Sequence, residues 1–444
     1  MVSVEELLYE PRTLSITDRF AVPEGTSLGL ASPVSERMTF KVPRGEGYVE
    51  VDLPDCDVTI AELPGGEPVD VREAAQEAVA DPHGPSLAER ASPDDEVAIV
   101  VTDVTRDAPD GIMVDVLFEE LEAAGVDREQ VRIILGLGLH RPMDREEIEA
   151  ELGEYADLAE NHDPDDTVVV GEVNDVPIEI YRPVAEADLV LTTGQSEPHQ
   201  YAGFSGGAKT VVIGAGGESF IKYTHGPEML SQESVKLGKI DGNPFREAVE
   251  EAGEMLGLDF CLNVTPGPDG FLDAAAGDSG AVVRDLAETA REALAFEVDG
   301  EYDAVVSGVG APKDAQLYQT TRGITYVVLS DGAPVKEGGR VVVPAVLDEG
   351  YGAGRGEERF YEWLSGAEDA ESCYQAMLEG YEPGAQRGFV TVRSLRHADA
   401  YITNSEDPDL VEECLMHAAE RVEDAIEPGS DVLVVPKAPK TLLV

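Results

Sequence analysis

Lysine is nearly missing from this chain. It occurs nine times in 444 residues, beside twenty-three arginines, whereas aspartate and glutamate together number 90. The formal net charge is −58. So large an acidic excess argues against a nucleic-acid partner, whose recognition needs a basic patch. Cysteine is scarce as well. Cys56, Cys261, Cys373 and Cys414 are far apart and make no CxxC pair, the pattern of a disulfide-free cytoplasmic protein. No run of about eighteen apolar residues is present, so no membrane-spanning helix is expected. The N-terminal MVSVEELLYEPRTLS has no basic stretch leading into an apolar one, so no signal peptide is expected either.

The acids are spread between periodic apolar segments rather than collected in a tail, and apolar content is an ordinary 42%. The chain therefore reads as folded, not as an acidic disordered chain. A hydrated acidic surface with few lysines suits very high salt, where repulsion between like charges is screened. At this length two domains are expected.

Residues 1–45 read as an extension without a strong pattern, and KVPRGEGYVEVDLPDCDVTIAEL suggests short strands. Then EVAIVVTDVTR (96–106), QVRIILGLGLHR (130–141) and ADLVLTTGQSEPH (187–199) each run from apolar residues into a polar or glycine-rich turn. Such runs read as buried parallel strands. Residues 111–126, NPFREAVEEAGEML and SGAVVRDLAETAREALAFE have helical spacing. A second strand series starts at 302, 338, 398 and 430, with helical segments around 357–379 and 408–426. The expectation is an α/β protein of two domains, 1–297 and 298–444, with mainly parallel sheets and the active site in the cleft between them. Ligands of open sheets sit beyond the carboxyl ends of the strands.

Those ends carry the chemistry. Asp103, Thr105 and Arg106 follow the first run, His140 the second and His199 the third. Lys313, Asp314, Tyr318, Gln319 and Arg322 follow the first strand of the second series. The run PHQYAGFSGGAKTVV (198–212) is one substitution from a phosphate-binding loop, with Ala208 where its second glycine belongs. The context argues against that reading. The strand ends near Gly194, well upstream, and Lys209 is followed by β-branched TVVIG rather than a helix-forming sequence. A reactive or a structural lysine remains. His225 has no helical spacing to His199, so no HExxH zinc site is present. Imidazoles beside a lysine suit nickel, copper, zinc or iron. The residues together suggest two acid/base histidines, a metal-ligand histidine, a covalent lysine and an anion-binding arginine. His83, His162, His397 and His417 read as structural.

Five motifs in order, VTDVTR (101–106), GLGLHRPMDREEIE (136–149), GQSEPHQYAGFSGGAK (194–209), THGPEML (224–230) and GAPKDAQLYQ (310–319), resemble the nickel-pincer-dependent lactate racemase family. The acidic composition suggests a haloarchaeal-type member. The resemblance implies an isomerase that interconverts D- and L-lactate by reversible hydride transfer to a nickel-pincer nucleotide, a pyridinium mononucleotide whose sulfur-bearing arms hold nickel. It implies that Lys209 carries this cofactor covalently, that His225 ligates the nickel, and that His140 and His199 are the paired acid/base residues. Arg106 and Arg322 would bind the substrate carboxylate. Asp103, Tyr318 and Gln319 would support the cofactor, and cofactor-synthesis proteins would be partners. Arg322 stands where lactate enzymes carry lysine, and Ala385 where they carry a tryptophan against the substrate. The first keeps the charge with a different geometry and the second would widen the pocket; both leave the cofactor assignment intact, with lactate the first substrate and a larger 2-hydroxy acid, malate or an aldonate, the alternative. A non-catalytic nickel- or cofactor-binding protein is the alternative from another class.

Overall fold

A computed structural model describes residues 39–444. Most of the extension expected over 1–45 thus lies outside the described residues, and its last part, Thr39–Arg44, is a strand paired with Gly47–Asp52. Two six-stranded sheets organise the rest. Their strands are numbered β1 (Asp57–Ile60), β2 (Val97–Val101), β3 (Val131–Leu135), β4 (Ala159–Asn161), β5 (Leu189–Gln195), β6 (Phe260–Pro266), β7 (Phe271–Gly277), β8 (Tyr302–Ser307), β9 (Val335–Pro344), β10 (Asp399–Thr403), β11 (His417–Ala419) and β12 (Asp431–Val435).

The first sheet has the order β7-β6-β5-β2-β3-β4. All its pairs are parallel except β6 with β7 at the edge. The second sheet, β11-β10-β9-β8-β12-β1, is parallel throughout. VAIVV of β2 is buried at every position, as a strand covered on both faces by helices must be. The helices that matter here are α1 (Asp110–Ala124), α2 (Ala208–Val212), α3 (Glu218–Thr224), α4 (Pro244–Leu256), α5 (Ser279–Leu294), α6 (Arg322–Val328), α7 (Ala370–Gly380) and α8 (Gln386–Leu395).

Sequence order and spatial order differ at one point. β1 precedes the whole first sheet in the chain yet pairs with β12, near the other end of the chain. The preceding hairpin packs Phe40, Val42 and Val51 against Val306, Val342, Val432 and Val434 of the second sheet. The chain therefore starts in the second sheet, leaves to build the first, and returns at β8. The helix expected over 408–426 is shorter than its pattern. Leu415 adopts a left-handed φ of 63°, which ends the helix after Pro408–Glu413, and β11 follows. All four cysteines are unpaired, and among the described residues no helix is long and apolar enough to cross a membrane.

One apolar cluster joins the two sheets. Met377 of α7 and Phe389, Val390 and Val392 of α8 share it with Tyr201, Val212, Phe245 and Val249 of the first sheet's layer. Phe389 is fully buried and stacks on Tyr374, ring centres 5.1 Å apart. Replacing it by alanine should cost about 3–5 kcal/mol of stability, read by denaturant unfolding. A loss below about 1 kcal/mol would mean that this cluster does not hold α8 in place.

Candidate active site

Loops beyond the carboxyl ends of the strands build the site. After β2, Asp110 at the start of α1 is 1% exposed. It accepts from Thr102 N (3.1 Å) and Oγ1 (2.5 Å) and from Thr193 Oγ1 of β5 (2.5 Å), which ties neighbouring strands together below the loop. The loop places Asp103 inward. Its Oδ1 accepts from the amide (2.8 Å) and hydroxyl (2.5 Å) of Thr105, and its Oδ2 lies 2.7 Å from Nδ1 of the exposed His140, beyond β3. Burial alone would raise the Asp103 carboxyl, but the bonds from His140 and Thr105 outweigh it and hold it below the ordinary value. An ionised carboxylate on Nδ1 leaves Nε2 of His140 free. Arg106 points to Glu197, 3.6 Å away.

After β5 the chain makes a small hairpin, Pro198–His199 against Gly203–Phe204, and reaches α2 through Gly206 and Gly207, both at positive φ (79° and 60°). A side chain at Gly206 would collide with Asn263 and Ser196, so only glycine fits this turn. The structure departs here from the sequence expectation of no helix after Lys209. Val211 and Val212 are fully buried, and the packing of their side chains overrides their weak helix preference. Lys209 sits in the first turn of that short helix, still well beyond the end of β5. His199 Nδ1 accepts from the amides of Tyr201 and Ala202, both at 3.2 Å, so neutral His199 carries its proton on Nε2.

His225 caps the C-terminal end of α3. Its Nδ1 lies 3.1 Å from the Ile221 carbonyl, so Nδ1–H donates there and the Nε2 lone pair is free. Tyr201 stands between His199 and His225, its ring centre 5.5 and 5.7 Å from theirs, and Phe245 of α4 closes the back at 5.1 Å from His225.

From the second sheet come the residues after β8. Gln319 accepts from Arg322 Nε at 2.6 Å, and Arg322 also donates to the Tyr326 hydroxyl at 3.1 Å. Tyr318 turns its ring edge to Phe360 and lies under Arg387 of α8, whose guanidinium carbon is 5.5 Å from the ring centre. Arg387 reaches across to Gln200 at 3.2 Å. The charges of Arg387 and Arg322 both act on Tyr201, whose hydroxyl burial pushes up to about 12.

The nine residues expected from sequence thus fall into three groups. His199, Lys209, His225 and Arg106 are within electrostatic reach of one another, Asp103 and His140 form a bonded pair, and Tyr318, Gln319 and Arg322 approach from the second sheet. His83, His162, His397 and His417 lie elsewhere; His162 Nε2, for example, bonds the Gly216 carbonyl. Ala385 is wholly buried in the shared core, and Arg387, two residues on, is the side chain that reaches the site. Sequence reasoning missed Arg387, Gln200, Tyr201 and Arg246. An arginine on the apolar stripe of Phe245, Val249 and Ala252 was the available signal for Arg246. Two surface clefts of about 380 and 450 Å³ lie away from all of these, at Lys336–Arg340 of β9 and beside Tyr351 and Tyr361.

Positive charge dominates the electrostatics. Burial, then Lys209 and Arg106, hold His199 well below the usual histidine range. Burial and Lys209 push His225 down to about 3. Lys209 itself is lowered to about 7 by burial, then by Arg106 and Arg246, against Glu197 and Asp103. A half-buried amine near neutrality is a nucleophile, as a surface ammonium is not. Among the described residues no three His, Cys, Asp or Glu side chains converge on a point, so the protein offers a metal one imidazole here, Nε2 of His225. A metal brought in by an organic ligand attached at Lys209 fits that donor set.

The lactate racemase N-terminal domain family matches residues 45–238, and the C-terminal domain family matches residues 300–438. A lactate racemase of Thermoanaerobacterium thermosaccharolyticum is 26% identical over 413 residues, covering 88% of this chain and 94% of its own. One from Lactiplantibacillus plantarum is 26% identical over 373 residues, covering 80% and 85%. The fold is that of the Thermoanaerobacterium lactate racemase apoprotein, with a TM-score of 0.81 at 23% identity over 92% of this chain and all of that one. A Thermotoga maritima protein shares it at a TM-score of 0.63 and 18% identity, over 86% of this chain and 99% of that one.

The lysine gives a stability prediction. Between about pH 7 and its ordinary 10.5, unfolded Lys209 holds a proton that the folded protein does not, so its contribution to stability rises with pH across that window. Below about pH 7 the full cost of its charge remains. Lys209→Met should stabilise the cofactor-free chain at neutral pH and flatten the rise, measured as urea midpoints along a pH series. An identical pH dependence in the variant would place Lys209 in solvent.

Proposed function

The chain belongs to the lactate racemase family, and from that premise we propose that it is an isomerase interconverting D- and L-lactate through a nickel-pincer nucleotide attached at Lys209. The observation that carries this reading is the company Lys209 keeps. A near-neutral amine, an imidazole with a free Nε2 and a second, neutral imidazole share one cation-rich cluster.

When bound, the cofactor supplies a reversible hydride acceptor. The chain's own residues do the rest. Arg106 receives the substrate carboxylate once Glu197 gives way, and Arg322 faces it from the second sheet; guanidinium groups match carboxylates in two-point geometry. His140, with Nδ1 committed to Asp103, takes the hydroxyl proton at Nε2. His199 presents Nε2–H to the same oxygen from the other histidine position. The planar 2-keto acid formed by hydride loss can regain hydride on either face, and a histidine for each face completes the inversion. His225 would hold the metal through Nε2. Tyr318 and Gln319 cover the site, and Asp103 acts through His140.

Arg387 favours one second reading. It is 6% exposed and its Nε has no partner, and Gln200 Nε2 beside it has none either. An acid with a second anionic group, such as malate, could use both. If so, Arg387→Leu should lower kcat/KM for malate by about tenfold or more, against a small change for lactate. Equal losses on both acids would remove this reading.

The test of the main reading is intact-protein and peptide mass spectrometry on protein from a cofactor-producing host, with nickel analysis and a D/L-lactate assay. An adduct on Lys209 with nickel and lactate turnover is expected. His140→Ala and His199→Ala should keep the adduct and lose about 10²–10⁴-fold in turnover. Fully loaded wild type that turns over no hydroxy acid would leave a cofactor-binding protein. The acidic surface supports a high-salt milieu, in which added potassium chloride stabilises the fold by screening.

A further inference from the structure

The grip on the lysine loop comes from outside the nine residues above. Asn243, capping α4, donates to the carbonyls of Tyr201 (2.8 Å) and Lys239 (2.9 Å) and accepts from the amide of Phe245 at 3.0 Å. Arg246 follows in the first turn. It is 1% exposed and heads the large, fully buried side chains of the protein. Its guanidinium donates to three carbonyls of one loop: Ala202 from Nε at 3.3 Å, Phe204 from Nη2, and Gly206 from Nη1 at 3.5 Å.

No carboxylate among the described residues forms an ion pair with Arg246. Glu250, one turn on, pairs with Arg284 at 3.3 Å instead. Glu250 acts on Arg246 only through its field, and a buried guanidinium with no carboxylate in contact is costly, so an apolar side chain of the same bulk would pack at lower cost. The cost makes sense by position. Residues 202, 204 and 206 lie between His199 and Lys209, and the Ala202 amide is one of the two donors that fix His199 Nδ1.

We propose that Arg246 is the positioning residue of this site, holding the 202–206 loop so that Lys209 is presented for covalent attachment of the cofactor and His199 for catalysis. Its biological meaning rests on the reading of Lys209 given above. Its charge acts in the same direction. The groups acting on Lys209 are Arg106 and Arg246, which push the amine toward its neutral form, and Glu197 and Asp103, which oppose them. The charge of Lys209 acts in turn on His199 and His225, which are held neutral chiefly by burial. Arg246 keeps its own proton, lowered only to about 10.

The experiment is competitive amine labelling of the full chain with acetic anhydride, read at the Lys209 peptide from about pH 5 to about pH 10, with the exposed Lys41 as internal control. Wild-type Lys209 should titrate near 7, well below Lys41. Arg246→Gln should raise that midpoint by about one unit and cut labelling at neutral pH about tenfold. Arg246→Lys should restore the midpoint, because the charge returns. Asn243→Ala, which keeps the charge but frees the Tyr201 carbonyl, should leave the midpoint alone and speed amide exchange at 201 and 202. In a cofactor-producing host, Arg246→Gln should carry severalfold less Lys209 adduct than wild type.

A wild-type Lys209 that titrates with Lys41 overturns the proposal, even if Arg246→Gln does not fold. So does an Arg246→Gln chain with an unchanged midpoint and full adduct. A wild type without adduct in such a host would instead sink the cofactor reading, while the labelling profile still judges Arg246.

Discussion

The packing of α8 and α7 onto the first sheet's layer is the constraint on which the site depends. Tyr318, Arg322 and Arg387 belong to the second sheet and its helices; His199, Lys209 and His225 belong to the first. Nothing in the chain between them forces the two sets together. Phe389, Val390 and Val392 do so by sharing an apolar cluster with Tyr201, Val212 and Phe245. Apolar burial is non-directional, so it supplies the closing force, and directional bonds such as Arg387 to Gln200 and Arg393 to the Leu230 carbonyl (2.7 Å) set the registration.

The second constraint is the placement of a scarce charge. A chain of net charge −58 keeps its surface acidic and draws Arg106, Lys209, Arg246, Arg322 and Arg387 into one interior region. In a partly dry interior these charges act on each other far more strongly than at the surface. That is why Lys209 and both inner histidines lean to their neutral forms.

Much of this was legible in the sequence, for physical reasons. β2, β3 and β5 are apolar runs because both sheet faces are covered, and functional residues follow them because loops at strand ends are free to vary. The glycines before Lys209 marked a turn that no side chain could enter. What stayed hidden was long-range. No local pattern says that Asp57–Ile60 pairs with Asp431–Val435, since strands carry no record of their partner. Ala385 drew attention by family pattern, yet two residues, about half a turn of helix, separate it in the core from Arg387, which reaches the site. The short helix at Lys209 was concealed because β-branched residues favour strands unless burial overrules them.

The cation cluster also bears on the proton transfer proposed for His199. His199 is depressed by burial first and by Lys209, Arg106 and Arg246 after it. Burial persists when a ligand enters, but the charge effect does not. On the proposed reading, a carboxylate bound at Arg106 would cancel part of the field on Nε2, and acylation of Lys209 would remove another part. Each change favours the charged imidazolium and raises the histidine toward its ordinary range. On that reading the acid/base capacity of the site would be assembled by the anions it binds. Without them, burial first and the charges of Lys209, Arg106 and Arg246 after it hold His199 in its neutral form.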